Sequence, residues 1–330
     1  MKNIIAKSAL AVASGLFSLS ASALVLNEYN VFTAEDYTHG NASVGGKVFV
    51  GGDATIHGYM DVGLMLTPSS TLDTLVTVGD INAAGGSGGF NVQAGNVVHG
   101  GSVSSNLNFN MNGGGTVRQE SQSTLAAQRD SMIAELNNAS TNYSNMASNG
   151  SLARSGNNAT FNYTGNQATA VFNVNAEDVF QQNTGLSLNA GLAETVIINV
   201  STQNSGYDFI SGGGINFTNG FSNPNPDANN IGASNILWNF YDAQAVNLMG
   251  LDTFRGSILA MGASVYGNPT TDGAVAVKSL YQSRQIHNYT FVPPSEVPLP
   301  ASVQFMLMGM AAFVGIRRWR KRKAAKAAIA

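Results

Sequence analysis

Cysteine is absent from all 330 residues. That excludes a thiol nucleophile, a thiolate metal site and disulfide stapling. A chain this long does not need disulfides, because it can bury a sizeable core without them. Charge is also scarce, at 11% of residues, and it is unevenly placed. Lys2 and Lys7 stand at the front, and Arg317, Arg318, Arg320, Lys321, Arg322, Lys323 and Lys326 stand at the back. With those nine set aside, 7 basic residues face 19 acids, all between Glu28 and Glu296. The region between the ends therefore carries a formal charge of −12, although the whole chain reads −3. An acidic surface argues against nucleic acid or anionic lipid as a partner and tolerates cations, calcium included.

What is present begins with the two ends. Lys2 and Lys7 precede an apolar stretch from Ala9 to Leu19, followed by the small residues Ala21-Ser22-Ala23. These are the basic, apolar and cleavage regions of a secretory signal, in order. Residues 1–23 read as a signal helix cut by signal peptidase after Ala23, with Leu24 as the mature start. At the other end Val297-Pro298-Leu299-Pro300-Ala301 precedes an apolar run from Val303 to Ile316 and then the basic block. A proline-rich breaker, an apolar membrane helix and a cytoplasmic basic anchor are the expected reading. Fourteen helical residues rise about 21 Å, short of a hydrocarbon core of about 30 Å. The segment would span by thinning the bilayer and snorkelling its arginines, or would be a transient stop removed later.

Motif, apolar run and basic tail together resemble the VPLPA variant of the bacterial PEP-CTERM sorting signals. That resemblance implies processing near Val297–Ala301 by a membrane-embedded exosortase-like enzyme. An ordinary uncut membrane anchor is the alternative for residues 297–330.

Residues 24–296 are rich in Gly, Asn, Ser and Thr, yet their apolar residues are ordered. They come as strand-length, β-prone runs: Lys47–Val50, Leu75–Val78, Phe90–Val92, Val196–Val200, Ile236–Phe240, Ala245–Leu248, Ser257–Ala260 and Ala274–Val277. Turn residues follow each. Val50-Gly51-Gly52-Asp53-Ala54, Val78-Gly79-Asp80-Ile81 and Gln93-Ala94-Gly95-Asn96-Val97 form a loose repeat of corners. Irregular spacing favours a mainly all-β, right-handed parallel β-helix over a β-sandwich, because loops extrude from solenoid corners. One segment differs. From Thr116 to about Ala147 there is no glycine or proline, and Leu125, Met132, Ile133, Leu136, Tyr143 and Met146 recur at helical spacing. Thr116 with Gln119 suits a capping box and Gly150 a stop. A long amphipathic helix packed along the solenoid is expected over 116–147.

Asn30-Val31-Phe32, Gly45 to Ala54, Trp238-Asn239-Phe240, Phe254 to Ala260, Gly273 to Leu280 and His287 to Phe291 are similar, in order, to the bacterial choice-of-anchor A domain. Met261 departs from the proline common at that place. The resemblance implies an adhesive, β-helical domain with an accompanying helix, paired with an exchangeable surface-attachment signal. It brings no catalytic residues.

Candidate chemistry is thin. His39, His57, His99 and His287 show no zinc spacing. The first three read as exposed corner residues and His287 as a cap on the last coil. Asp53, Asp61 and Asp80 could converge on one side of the coils and are the candidates for a weak calcium site. Glu35-Asp36 and Glu177-Asp178 would point oppositely on strands. Arg255 and Lys278 are the basic residues near the C-terminal strands, where a polysaccharide lyase would want one beside its acids. Trp238, Phe240, Tyr241 and Tyr207 read as core rather than as a sugar-stacking stripe. No catalytic residue and no required cofactor is expected. The leading function is an exported surface or matrix protein that binds exopolysaccharide or another surface by many weak contacts. The alternative is a calcium-assisted polysaccharide lyase or hydrolase on the same scaffold.

Overall fold

The computed structural model describes residues 25–40 and 42–294. The signal-cleavage residues Ala21, Ala23 and Leu24 lie outside that range, as do the motif Val297–Ala301 and the apolar run after it. Among the described residues no helix is long and apolar enough to cross a membrane.

The domain is a β-solenoid. Each turn lays short strands on three walls, and strands of neighbouring turns pair in parallel. All the β-prone runs form strands, among them Val48–Val50, Asp73–Thr77, Thr195–Ser201, Ile236–Asn239 and Val275–Gln282. Parallel pairing excludes the sandwich alternative, whose strands pair antiparallel. One pair of described strands is antiparallel, the hairpin Ser151–Ser155 with Asn158–Asn162.

The order of strands is not the order of the chain. The first wall reads Val117–Gln119, Asn96–His99, Asp73–Thr77, Val48–Val50, Val31–Thr33, Val275–Gln282, Ser257–Tyr266, Ile236–Asn239, Thr195–Ser201, Thr169–Asn175. The chain thus starts mid-stack behind a short helix α1 (Val25–Glu28), coils out to one end and crosses to the other. It then coils back to pair Val275–Val277 with its own start at Val31–Thr33.

The crossing is made by α2 (Gln122–Ser144). Its 23 residues span about 35 Å, against about 43 Å for ten stacked strands. The helix starts six residues later than its sequence suggests, after Ser121. Thr116 caps no helix, because Val117–Gln119 pairs in parallel with Val97–His99 as the last strand of the first half. β-branched residues at an open sheet edge gain more from pairing than from one extra helical turn. The C-cap is Asn145, so Gly150 stops nothing. Leu125, Leu136, Tyr143 and Met146 of the expected stripe are buried.

Two cores result. Inside the coils valines and aromatics pack together, with Trp238 fully buried and its Nε1 donating to the Arg255 carbonyl at 2.8 Å. Outside the first wall, Phe32, Phe49, Val76, Val98, Ile197, Leu237 and Leu259 pack under α1 and α2. Polar residues fix the position of α2. Asn239 donates to Asn199 (2.9 Å), and Asn199 to Asn173 (2.9 Å), a ladder across three coils. The same amides reach the carbonyls of Ser140 and Tyr143 in the last turns of α2 and of Met146 just past it. A third short helix, α3 (Ala176–Val179), holds Glu177 and Asp178, which therefore do not lie on a strand.

The seam between the two halves is also held by a buried asparagine. Asn30 donates to Gly273 O (2.8 Å) and His287 O (3.0 Å) and accepts from Gly46 N (2.9 Å).

Candidate binding face

The second wall is built from Asp208–Ile210, Ala245–Asn247, the ends of Ser257–Tyr266 and Val275–Gln282, Tyr37–His39, Ala54–Ile56 and Ile81–Ala83. Side chains alternate across a strand, so every second residue faces out. Val265, Leu280, Tyr37, Ala54 and Ile81 point inward in register. Between them an outward row runs Tyr266, Tyr281, Thr38, Thr55, Asn82, one residue per coil at about 4.8 Å spacing. Asn247 and Ile210 continue it on the next two strands. Tyr266 is 58% exposed, Tyr281 47% and Ile210 75%. The helices α1 and α2 lie elsewhere, over the first wall.

The row has a legible origin. Thr38, Thr55 and Asn82 each sit two residues after an aspartate: Asp36, Asp53 and Asp80. Those aspartates stack at one corner. Asp36 Oδ1 accepts from Asp53 N (2.9 Å), Asp53 Oδ1 from Asp80 N (2.8 Å), and Asp80 Oδ1 from Ser102 N (2.6 Å) and Oγ (3.0 Å). Each carboxylate locks the next coil. The glycine before each step makes the reach possible, since a Cβ at Gly52, Gly79 or Gly101 would overlap the aspartate of the preceding coil. The Ser102 bonds hold the Asp80 carboxyl below the usual carboxylate range. An Asp-x-Thr/Asn repeat was therefore readable, but its register is set by coils of 17, 27 and 22 residues, which no fixed period reveals.

Gly95-Asn96 does not belong to this corner. It stacks on Leu72-Asp73, and the true third member is Gly100-Gly101-Ser102.

The calcium candidates separate. Asp53 and Asp80 are on the corner ladder, while Asp61 lies on the third wall near Ser43 and Gln93, each at 3.5 Å. The expected convergence of all three does not occur. Among the described residues no group of three or more His, Asp or Glu is arranged to hold a metal.

Other candidates fall into place one by one. His39 is buried rather than exposed, its Nε2 within 2.7 Å of Ala42 N, and burial pushes its imidazole below the usual range. His287 does sit on the last coil, with Nδ1 2.5 Å from Asp272. Asp272, buried and unremarked in the sequence, also pairs with Arg255, so three successive coils carry Arg255, Asp272 and His287 in register. Lys278 lies 3.7 Å from Glu35. Neither basic residue lines a carboxylate groove. Trp238 and Phe240 are core, whereas Tyr241 is exposed.

The domain is thus a parallel solenoid with one wall sealed by a helix and another left as a ribbon of hydroxyls, amides and tyrosine rings. The chain belongs to the family described as "Putative Ice-binding-like adhesive domain", whose model matches residues 22–288. The adhesive class implied by the motifs at both ends of the domain is thus that of the family.

Solved structures with similarity include an ice-binding protein from the Antarctic ascomycete Antarctomyces psychrotrophicus, 14% identical over 79% of this chain and 95% of that one, TM-score 0.29. A Shewanella frigidimarina ice-binding protein domain is 16% identical over 79% and 95%, TM-score 0.28. An ice-binding protein from an Antarctic Flavobacteriaceae bacterium is 13% identical over 82% and 84%, TM-score 0.23. No curated protein matches the sequence.

Proposed function

We propose that the protein is an exported adhesin that lies on polysaccharide through its second wall. The observation that carries this reading is the outward row Ile210, Asn247, Tyr266, Tyr281, Thr38, Thr55, Asn82, aligned across seven strands with none of the described helices over it. Tyrosine rings offer faces for the CH side of sugars, and Thr and Asn offer paired donors and acceptors for hydroxyls. Each contact is weak, but a rigid row engages them together. Side chains of such different size do not repeat as a lattice, which favours a polymer over a crystal surface.

The ends of the domain fit a tethered protein. Phe291 N donates to Leu26 O (3.0 Å) and Asn27 donates to Phe291 O (3.0 Å). Both ends therefore emerge on the helix-covered side, leaving the second wall free. In this reading residues 1–23 direct export and are removed by signal peptidase after Ala23. Residues 24–296 are the adhesive domain. Residues 297–330 enter the membrane and are processed at Val297–Ala301 by an exosortase-like enzyme, which places the domain at the cell surface or outside it.

The test is retention of the full chain on insoluble polysaccharides, against the Tyr266→Ala/Tyr281→Ala variant. Strong retention that the variant loses is expected. Equal retention of both proteins would remove the second wall from the account, and inhibition of ice recrystallisation without polymer binding would replace polysaccharide by ice. Release of soluble sugars would revive the lyase or hydrolase alternative. For the tail, the intact mass of the surface protein should end near Val297–Ala301; a mass that retains Ala330 would mark an uncut anchor.

A further inference from the structure

A cavity of about 710 Å³ opens where the turn Leu188–Ala193 meets the loop 222–231. It lies at the corner between the third wall and the helix-covered wall, away from the ribbon of the second wall. Its volume falls within the roughly 300–1,000 Å³ typical of small-ligand sites.

The loop side is preorganised. Asp227 accepts from Asn229 N (2.7 Å), from Asn230 Nδ2 (2.8 and 2.9 Å) and from Asn223 Nδ2 (3.0 Å). Ser222 donates to Asn230 Oδ1 (3.1 Å), and Ala233 N donates to Pro224 O (2.8 Å). Two prolines, Pro224 and Pro226, stiffen the same stretch. Among the described residues Asp227 is the only charged one lining the cavity, and its carboxylate is occupied by the loop's own donors.

The facing side is kept open by small residues. Gly220 adopts φ +83°, and a Cβ there would overlap Leu188 O, so this floor tolerates only glycine. Three carboxamides from three separate segments line the space: Asn189 from the strand end, Asn219 from the turn and Asn229 from the loop. All three residues are exposed, and their amide nitrogens have no protein partner among the described residues. Each such group donates and accepts at once, which matches adjacent hydroxyls. The partly buried Ile231 supplies an apolar contact at the cavity wall, and Leu188 behind it belongs to the inner core.

We propose that this cavity binds a neutral oligosaccharide. Uncharged donor–acceptor pairs beside an apolar contact suit a sugar ring, whereas an anion would find no cation and a cation would find Asp227 already engaged. The site is separate from the second wall: one would hold a chain end or branch, the other the flank of a polymer.

The experiment is saturation-transfer NMR and calorimetry on the full chain with maltotriose, cellotriose, xylotriose and chitotriose, with trigalacturonate as the charged comparison. At least one neutral trisaccharide is expected to bind and trigalacturonate is not. Asn189→Ala/Asn219→Ala should weaken that binding by about tenfold or more, and Asn229→Trp, which fills the mouth on an exposed loop, should abolish it. Tyr266→Ala/Tyr281→Ala should leave it unchanged while reducing retention on polymer, so the two sites fail independently. The proposal is overturned if none of the four neutral sugars gives saturation transfer at millimolar concentration. It is equally overturned if binding survives both cavity variants with circular dichroism like the parent protein, or if trigalacturonate binds as well as the neutral sugars.

Discussion

The first and second walls come from the same coils, often from the same strand, yet their outward faces differ completely. On the first wall the outward residues are Phe32, Phe49, Val76, Ile197 and Leu259, and helices bury them. On the second they are Thr38, Thr55, Asn82, Tyr266 and Tyr281, and none of the described helices covers them. Val275–Gln282 makes the contrast within eight residues: Ala276 packs under the helix side, while Tyr281 stands exposed. The difference teaches that stability and binding are assigned to separate walls, so mutations should separate them as well.

The largest expected effect is on the covered wall. Leu136→Ala removes a fully buried side chain of α2 from the second core. A loss of about 2–5 kcal/mol in urea unfolding is expected, with polymer binding retained by whatever fraction stays folded. A cost below about 1 kcal/mol would mean that α2 only rests on the wall.

Next comes the corner that borders the second wall. Gly79→Ala drives a Cβ into the Asp53 carboxylate and the Gly52 backbone. Crowding of this kind costs about 1–3 kcal/mol, read as a lower denaturation midpoint, and Asp53→Ala in the same protein should recover part of it.

Acid should act on both walls, more weakly. The Arg118 guanidinium holds Asp73 below the ordinary carboxylate range, and Ser102 does the same for Asp80. A depressed folded pKa means the unfolded chain takes up the proton first. This stability is present above the unfolded value of 3.8 and is lost as pH falls through the folded values. Burial depresses His39 likewise, so its contribution is present above 6.5 and declines below it. Melting temperature followed by circular dichroism should be flat above pH 7, fall gently from about pH 6.5 and fall further below about pH 4. His39→Gln should shrink the first phase, leaving the part that His287 contributes, since burial and Arg255 lower its imidazole too; a profile flat to pH 4 in the parent protein would show that both are protonated without loss.

The smallest stability effect and the largest functional one should coincide at Tyr281. Tyr281→Ser is expected to shift stability by no more than about 0.5 kcal/mol and to weaken retention on polysaccharide several-fold. A large destabilisation would mean that the second wall carries structural load after all.

Much of the fold was legible because strands and corners are local. Every β-prone run became a strand, since a valine-rich segment between glycines can bury itself only by pairing. The helix was legible from its stripe, but not its start, because Thr116 to Gln119 has no glycine or proline to separate a strand from a helix. The amides that seat α2 were visible as Phe172-Asn173, Ile198-Asn199 and Trp238-Asn239, yet their pairing was not, since it needs three strands brought into register. The second wall was hidden for the same reason. Tyr266 and Tyr281 are far along the chain from Thr38 and Thr55, and only the closing of the last coil onto the first makes them one row.

By itself the sequence determined the acidic charge between the two ends, the mainly β character and the absence of thiol chemistry, because each follows from residue type and local order. Tertiary structure alone decided the discontinuous stack, with the first strand in the middle and a helix returning the chain across it. It also decided that Asp61 stands apart from Asp53 and Asp80, that His39 is buried, and which wall stays bare. Those are consequences of register between distant segments, 245 residues apart in the buried Tyr37–Gln282 contact, and register is fixed by which side chains can share one core.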